Sequence, residues 1–259
     1  MCLVIGKPVG APIPGRKKLK HYFNCHPDGF GVSFQYKGAV RTIKGAMTIK
    51  EMFELLNTIR CLIQPKKPED IDMLLQWRRA ITGSVSRKFC HPFPVVAEQE
   101  QLDSLDTSSE LALAHNGVIW DYNKLSHPEI SEDINDAQEF IKDFVVGLGQ
   151  AVFNPSVQKL IEAYTESKFA LLSSEGLYYI GDFIEENGCF YSNMYHKLDF
   201  GIEGLEEYTG YLCPLCSTMT PRLFYLPSND DSEAFCANCY RQFTGLEPST
   251  SLQIGSLGV

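Results

Sequence analysis

Met1-Cys2-Leu3-Val4-Ile5-Gly6 places a cysteine directly behind Met1 and in front of a short apolar run. Removal of Met1 would leave Cys2 with a free α-amine, which titrates at about pH 7.7–8.0, beside a thiol that titrates near pH 8.5. A single residue then carries both the nucleophile and the base that activates it. The apolar run predicts a strand that holds Cys2 at its mouth. Taken alone, the stretch also fits a buried strand cysteine that has no chemical role.

A second informative run lies far downstream and reads His115-Asn116-Gly117-Val118-Ile119-Trp120-Asp121-Tyr122, at the end of a predicted strand. The Asn116 carboxamide N–H and the Gly117 backbone N–H can converge on one developing oxyanion. Such a donor is typically worth about a hundredfold or more in rate. Asn-Gly is also a strong two-residue turn signal, so a hairpin turn is the alternative interpretation.

Cys2 and the His-Asn-Gly-x-Ile-x-x-Tyr run together resemble the class II glutamine amidotransferases, N-terminal-nucleophile hydrolases that cleave the side-chain amide of glutamine. The resemblance covers residues 2 to about 196 and is to compact members common in bacterial and phage genomes. It implies that Cys2 is the nucleophile and that Asn116 and Gly117 hold the oxyanion. Asp28-Gly29-Phe30-Gly31 is similar to the family's Asp-Gly-x-Gly segment, and its glycines indicate close backbone approach.

The same resemblance assigns the two ends of the amino-acid substrate. Arg78 stands in Arg78-Arg79-Ala80-Ile81-Thr82-Gly83, which is similar to the family's Arg-x-Ala-Thr-His-Gly segment. A guanidinium fork suits an α-carboxylate because it donates two parallel hydrogen bonds. Thr82 is a further candidate substrate contact, although the family usually has Thr-His where Ile81 and Thr82 stand here. The alternative for Arg78 is a surface salt bridge.

Asp136 is the candidate for the substrate's α-ammonium, because the family carries an aspartate at the corresponding helix start. The alternative is a first-turn residue that the helix dipole favours without any ligand. The helix after Asp136 is predicted to bury Phe140, Ile141, Phe144 and Val145 on one face.

Periodicity and turn residues predict further elements along the chain. Thr48-Ile49-Lys50-Glu51 is a capping box that opens a helix, and Asn154-Pro155 caps a later helix with apolar Leu160, Ile161 and Tyr164. Strands are predicted at residues 39–44, 71–81, 168–172, 177–183 and 189–192.

Length and composition bound the class of protein. The 259 residues allow one large domain, or a domain of about 200 residues with a small appendage, and the net charge of −9 argues against a surface that coats nucleic acid. The sequence shows no leader pattern and no apolar run of roughly 18 residues. We therefore expect a cytoplasmic protein, in the host cytoplasm if it is phage-encoded, whose nine cysteines are thiols and metal ligands.

Four of those cysteines form two knuckles, Cys213-Pro-Leu-Cys216 and Cys236-Ala-Asn-Cys239. Their spacing is typical of four thiolates around a structural zinc ion. A closed four-cysteine site leaves no position for catalysis, and its metal would supply much of the folding energy of so small a unit. The ribbon lacks a basic stripe, which favours protein docking or stabilisation over nucleic-acid binding.

These patterns support an α+β protein, and the resemblance implies a four-layer αββα sandwich followed by a zinc ribbon. The expected domains are an amidotransferase-like domain at 1–205, a zinc ribbon at 206–245 and a flexible tail at 246–259. No ATP loop or dinucleotide fingerprint occurs in the sequence, so we expect no organic cofactor. From the two cysteine knuckles we expect a structural zinc ion. Hydrolysis of the glutamine amide would release ammonia, which we expect to pass to a partner enzyme. We expect no association with a membrane.

Two other hypotheses stay open from the sequence. One keeps the chemistry and changes the substrate, which gives a stand-alone hydrolase of a γ-glutamyl compound. The other is a non-catalytic binding or interaction protein, since the pocket lacks the family's Thr-His pair.

Overall fold

Residues 2–80, 84–122, 133–193, 211–212, 219–220, 224–225 and 234–244 are described by a computed structural model. The chain separates into two compact units, Cys2–His196 and Lys197–Val259. The first is α+β with antiparallel sheets, as the sequence predicts. Its strands are Leu3–Lys7 (β1), Phe30–Tyr36 (β2), Ala39–Ala46 (β3), Met73–Trp77 (β4), Phe93–Pro94 (β5), Asp106–Ser109 (β6), Leu111–Asn116 (β7), Lys168–Ser173 (β8), Gly176–Ile180 (β9), Ile184–Glu186 (β10) and Cys189–Tyr191 (β11). Its helices are Arg16–Cys25 (α1), Ile49–Leu62 (α2), Gln99–Asp103 (α3), Asp136–Phe140 (α4), Val146–Leu148 (α5) and Pro155–Thr165 (α6).

The first sheet has the strand order β10-β11-β1-β4-β2-β3-β6. The first strand is therefore internal, paired with β4 from Leu3 opposite Trp77 and with β11 through Ile5 opposite Tyr191. All five residues of β1 are buried. A strand paired on both sides has a fixed register, and Cys2 directly precedes it.

The second sheet has the order β5-β7-β8-β9. β7 runs against β8 from Leu111 opposite Ser173 to Asn116 opposite Lys168. β7 thus ends at Asn116, as predicted. It does not pair with the segment that follows it, so Asn116-Gly117 is not a hairpin turn and that alternative is wrong.

Three apolar clusters show how these elements pack. The first joins the first sheet to α1 and α2, and the second joins the second sheet to the helical segments between residues 99 and 165. The third draws Val4 and Leu74 from the first sheet and Ala112, Ala114 and Ala170 from the second. Because side chains alternate along a strand, Val4 and Leu74 point away from the neighbouring residues of the same strands that join the first cluster.

The predicted cap of α2 is present with one difference. The Thr48 hydroxyl accepts a hydrogen bond from the Glu51 backbone N–H at 3.2 Å, as a capping residue should. The Glu51 carboxylate, however, makes its close hydrogen bond with the Met47 N–H, at 2.7 Å. Asn154 caps α6 as predicted, by accepting from the Ser156 N–H at 2.8 Å.

Two predictions from periodicity are wrong in extent. The strand predicted at residues 71–81 is limited to Met73–Trp77, because a 3₁₀ turn at Pro68–Asp70 precedes it and Arg78 begins an irregular segment. The predicted apolar face of α6 is solvent-facing at Leu160 and Tyr164, which are 69% and 51% exposed.

The helix after Asp136 departs from the prediction at one residue. Phe140, Ile141 and Val145 are buried, but Phe144 is 37% exposed. Ile141–Val145 forms a π-helical turn between α4 and α5. The wider turn shifts the helical periodicity, so a residue that a 3.6-residue repeat would bury lies at the surface.

The second unit contains two short antiparallel strand pairs and a helix in its described residues. Tyr211–Leu212 (β12) pairs with Met219–Thr220 (β13), and Phe224–Tyr225 (β14) pairs with Ala234–Phe235 (β15). The helix is Ala237–Thr244 (α7). The predicted domain boundary at 205 and the predicted tail at 246–259 lie outside the described residues.

In the part of the chain that the structure describes, no helix has the length and apolar character needed to cross a membrane.

Candidate functional site

The strand registers bring Cys2 and Arg78 to the same end of the first sheet. Leu3 pairs with Trp77 in the antiparallel β1–β4 ladder. One step further along this ladder, Cys2 lies beside Arg78, although the two residues are far apart in sequence. The sheet therefore places the candidate nucleophile next to the candidate carboxylate-binding residue.

Strand alternation points the candidate side chains toward the space between the two sheets. Val4 and Leu74 face the second sheet, so Cys2 and Arg78 belong to the same side by alternation. On the second sheet Ala112 and Ala114 face inward, and Asn116 continues that series. The three candidate side chains therefore converge at one end of the inter-sheet space.

Cys2 is half-buried and is held by two contacts. Its carbonyl oxygen accepts a hydrogen bond of 2.7 Å from the Asn193 carboxamide. Its Sγ lies 3.9 Å from the Arg79 carbonyl oxygen, which is a weak thiol contact. The backbone of Cys2 is thus anchored from the C-terminal end of the unit, while its thiol has no strong partner among the described residues.

Asn116 is 3% exposed, and Ser192 connects its side chain to the first strand. The Asn116 Nδ2 donates to Ser192 Oγ at 3.0 Å, and the Val4 backbone N–H donates to the same oxygen at 3.0 Å. The Asn116 Oδ1 is buried and has no hydrogen-bond partner among the described residues. One buried hydroxyl therefore fixes the distance between the candidate oxyanion residue and the strand behind Cys2.

Gln76 provides a second connection between the sheets. Its carboxamide donates to the His115 carbonyl at 2.7 Å and accepts from the His115 backbone N–H at 3.2 Å. Gln76 is fully buried, so these bonds form in a medium where they are strong and costly to lose. They hold β7 against β4 one residue before Asn116.

Closely packed neighbours leave room only for a glycine at position 117. A Cβ at this position would lie 2.0 Å from Ser167 Oγ and 3.0 Å from His115 Nε2. No side chain fits there unless Ser167 moves. The backbone N–H that follows Asn116 is therefore held in a tightly packed place.

Arg78 is a buried cation without a described anionic partner. It is 4% exposed, and its Nη1 donates to the Ser84 carbonyl at 3.1 Å. No carboxylate of the described residues lies within ion-pair distance of its guanidinium, and the low exposure of Arg78 does not suit a surface salt bridge. Burying an unpaired charge is expensive, and a carboxylate ligand would offset that cost.

The backbone around Arg78 is rigidly fixed by the segment that resembles Asp-Gly-x-Gly. The Arg78 N–H donates to Gly29 O at 2.7 Å, and the Asp28 N–H donates to Arg78 O at 3.0 Å. A Cβ at Gly29 would lie 2.2 Å from Cys90 Sγ, and one at Gly31 would lie 2.4 Å from the His91 carbonyl oxygen. The predicted close backbone approach at Gly29 and Gly31 is confirmed.

Asp136 begins α4 and is tied to the segment behind the candidate oxyanion residues. Its Oδ2 accepts a hydrogen bond of 3.0 Å from the Ile119 backbone N–H. Asn135 caps the same helix, and its side chain exchanges hydrogen bonds with Gln138. Asp136 thus has a protein partner, and its carboxylate lies beside the segment that carries Gly117.

The two histidines of this region are neutral at ordinary pH. Burial lowers the pKa of His115, an effect that the nearby Asp136 carboxylate partly offsets. Burial also lowers the pKa of His91, and Arg78 adds to the lowering. Both rings pack on phenylalanines, His115 stacked on Phe169 at 4.9 Å and His91 edge-on to Phe93 at 4.4 Å. Neither contributes positive charge to the candidate site.

The remaining predicted site residues are only partly described. Thr82, Cys213 and Cys216 lie outside the described residues. Cys236 and Cys239 are buried at the start of α7, and the Cys239 N–H lies 3.4 Å from Cys236 Sγ. Within the described ranges no group of three or more histidine, cysteine or acidic side chains could hold a metal ion. The two described cysteines suit a thiolate knuckle, since they are adjacent and shielded from solvent.

The connecting residues Ser192, Asn193 and Gln76 carry no role in the sequence prediction. A sequence pattern does not reveal which distant backbone groups such residues will bond. The signal available in the sequence was a pair of polar residues, Ser192 and Asn193, directly after a buried strand. Gln76 is a polar residue inside an apolar strand, which is the corresponding signal at that position.

A cavity of about 370 Å³ lies elsewhere in the first unit. It is lined by Leu111 at the start of β7 and by Ser173 and Glu175 at the β8–β9 turn, among others. Since Asn116 is at the other end of β7, this cavity is at the end of the second sheet away from Cys2.

No protein-family model matches the chain. An uncharacterized protein of Methanocaldococcus jannaschii is 31% identical over 107 residues, which is 41% of this chain and 26% of that relative. The matched region thus spans about a quarter of the relative's length.

Proposed function

We propose that this protein hydrolyses the side-chain amide of L-glutamine, with Cys2 as an N-terminal nucleophile after removal of Met1. The observation that carries the proposal is the convergence of Cys2, the buried Arg78 and Asn116-Gly117 at one end of the inter-sheet space. The three apolar clusters support a four-layer αββα arrangement of the N-terminal-nucleophile hydrolase type.

The chemistry follows from the roles of these residues. The Cys2 Sγ attacks the carboxamide carbon, and the Cys2 α-amine takes the thiol proton. Asn116 Nδ2 and the Gly117 N–H stabilise the tetrahedral oxyanion. The amine then gives the proton to the leaving nitrogen, so that ammonia departs and a γ-glutamyl thioester remains.

The second half of the reaction restores the enzyme. Water attacks the thioester carbon and loses a proton to the same α-amine. The C–S bond breaks, the thiolate regains the proton, and glutamate leaves. Neutral His91 and His115 do not compete as bases in this scheme because neither ring contacts Cys2 in the described bonds.

Arg78 and Asp136 orient the substrate, and Thr82 is a further contact. A carboxylate ligand would pair the buried Arg78 guanidinium, and an ammonium would lie toward the Asp136 carboxylate. Binding energy at these two charged ends fixes the amide for attack.

For the second unit we propose a zinc ribbon whose metal is held by the four thiolates of Cys213, Cys216, Cys236 and Cys239. The burial and adjacency of Cys236 and Cys239 support it. The zinc ion would supply folding energy and no catalysis. The ribbon is the candidate docking surface for a partner enzyme that accepts the ammonia.

The test combines intact mass with glutamate release. Wild type, Cys2→Ala and Cys61→Ala are incubated with a diazoketone analogue of glutamine, Cys61 being an exposed cysteine away from the candidate site. We expect loss of Met1, one adduct on wild type and on Cys61→Ala, and glutamate release by both. Cys2→Ala should show no adduct and at least a thousandfold slower release.

Other results would select the other hypotheses. Faster turnover of other γ-glutamyl amides than of glutamine would indicate the stand-alone γ-glutamyl hydrolase. Retained Met1 with neither adduct nor turnover, also when candidate partner proteins are added, would indicate a non-catalytic binding protein and would overturn the proposal.

A further inference from the structure

We infer that Ser192 is the positioning residue of the oxyanion site: its hydroxyl donates to Asn116 Oδ1 and so presents Asn116 Nδ2 to the oxyanion. The inference rests on the proposed function and adds a role for a residue that lies outside the catalytic set. It concerns the orientation of one carboxamide.

The hydrogen bonds around Ser192 leave two orientations of Asn116 to compare. When Nδ2 faces Ser192, the Ser192 oxygen accepts from both Asn116 and Val4, each at 3.0 Å. Its own hydroxyl hydrogen then has no use in these bonds, and the Asn116 Oδ1 is buried without a described partner. A buried acceptor without a hydrogen-bond partner destabilises the fold.

A carboxamide rotated by half a turn exchanges its nitrogen and oxygen with little change of shape. Ser192 Oγ would then accept from the Val4 N–H and donate its hydrogen to Asn116 Oδ1. The Ser192 hydroxyl would then use its hydrogen as a donor and its oxygen as an acceptor. Asn116 Nδ2 would take the place that Oδ1 holds in the first orientation.

The second orientation leaves a donor rather than an acceptor without a protein partner. A free donor is what an oxyanion requires, whereas a free carbonyl oxygen would repel it. This donor can bond the carbonyl oxygen of the substrate, and the bond strengthens as negative charge develops on that oxygen. An interaction that is stronger in the transition state than in the ground state raises kcat.

Ser192 is well placed to hold this orientation. It is fully buried, and its backbone N–H donates to the Val4 carbonyl at 3.0 Å. The next residue, Asn193, donates to the Cys2 carbonyl at 2.7 Å. The same short segment therefore sets both the nucleophile and the oxyanion donor.

The test is steady-state glutaminase kinetics of Ser192→Ala alone and in an Asn116→Ala background. We expect Ser192→Ala to lower kcat about ten- to a hundredfold with KM within about twofold of wild type. In the Asn116→Ala background the same substitution should lower kcat by less than about threefold, because Ser192 acts through Asn116. Ser192→Thr, which keeps the hydroxyl, should restore most of the activity.

Ser33→Ala is the matched control. Ser33 is also fully buried in the first sheet, and its hydroxyl bonds the Thr42 hydroxyl at 2.7 Å. It should show a comparable change in thermal stability with kcat unchanged. If Ser192→Ala does not fold, Ser192→Cys replaces it, since a thiol has similar size but is a weak donor.

The outcomes separate the two proposals. Wild type without Cys2-dependent glutamate release overturns the proposed function and this inference with it. Active wild type together with a folded Ser192→Ala of full kcat overturns the inference alone. Losses that multiply fully between Ser192→Ala and Asn116→Ala also overturn it, because they would show that Ser192 does not act through Asn116.

Discussion

The residues around Cys2 are held by neutral side chains, two of which come from the C-terminal end of the unit. Ser192 and Asn193 reach Asn116 and Cys2, and Gln76 reaches the backbone of His115. All three are amide or hydroxyl groups that bond backbone or amide partners. Their bonds are 2.7–3.2 Å long and mostly buried, so neutral hydrogen bonds set much of the geometry of the candidate site. The charged guanidinium of Arg78 is the exception.

Gly117 allows a direct test of this packing. In Gly117→Ala the new methyl would lie 2.0 Å from Ser167 Oγ, so Ser167 or the Gly117 backbone must move. We expect a loss of about 1–3 kcal/mol of unfolding free energy, measured by urea denaturation. Glutaminase activity should fall together with it, since the displaced N–H is a proposed oxyanion donor.

Two further variants check the cause. Ser167→Gly in the Gly117→Ala background should recover most of the stability, because it removes the clashing side chain. Gly147→Ala is the control, since no atom lies within 4 Å of its added Cβ and it stands in a helix. It should be neutral or slightly stabilising. A Gly117→Ala protein as stable as Gly147→Ala would contradict the close packing.

Residue-scale prediction from sequence succeeds where the chemistry is local to a motif. Asn116 at a strand end and the glycines at 29 and 31 follow from their neighbours in the sequence. Ser192 could not be found in this way, because its role is set by the pairing of β11 with β1 and by a carboxamide from another sheet. Such a role exists only once the strands have been ordered.

Helix α1 ends in a buried histidine, and this feature links an element to pH. His26 is the C-cap of α1, and its Nδ1 lies 3.0 Å from the Tyr22 carbonyl. A helix C-terminus favours a protonated histidine by about 0.3–1 kcal/mol. Burial acts in the opposite sense and is the larger effect, so that the pKa of His26 is lowered to about 4. The ring is therefore neutral in the folded protein at neutral pH.

The unfolded state binds the proton first when the pH falls, because an unfolded histidine titrates near 6.5. Stability is thus complete above about pH 6.5 and declines as the pH falls toward 4, where the folded state also takes the proton. Burial lowers the pKa of His91 and His115 as well, which adds to the decline.

We expect His26→Asn to remove on the order of 2–3 kcal/mol of the loss in unfolding free energy between pH 7 and pH 4.5. Urea denaturation at several pH values measures it, and each variant is referred to its own value at pH 7 so that altered packing is subtracted. A variant that loses as much stability as wild type over this range would show that His26 is not a source of the decline.

The helices show which features the sequence pattern predicts correctly and which it does not. The capped starts of α2 and α6 are correct because a cap depends on three or four adjacent residues. The faces of the later helices are less well predicted. Leu160 and Tyr164 are apolar by type yet exposed, and Phe144 is carried outward by a π-helical turn. A pattern of apolar residues does not record which of them another element will cover.

The whole molecule divides into two units that differ in what would stabilise them. The first has three apolar clusters, which is a substantial core. The described residues of the second form two-residue strand pairs and one helix. So small a unit rarely folds on apolar burial alone. We therefore expect its stability to depend on zinc.

Treatment of the full chain with a zinc chelator should separate the two units. We expect amide hydrogen exchange to become fast over residues 234–244 while β1, β4 and β11 keep their protection. Metal analysis should find about one zinc per untreated chain. Cys236→Ser should lose the zinc and Cys61→Ser, at an exposed position, should retain it. Zinc bound equally by both variants would contradict the proposed ribbon.

The internal position of β1 has a consequence for how the protein is made. Synthesis delivers β1 first, but its neighbour β11 at Cys189–Tyr191 is the last strand of the unit to leave the ribosome. Long-range pairing of this kind forms slowly and late. The edge of β1 that pairs with β11 therefore has no partner strand through most of translation. Until β11 emerges, β4 is the strand that can pair with β1, so the final setting of Cys2 at the end of the sheet depends on the last strand of the unit.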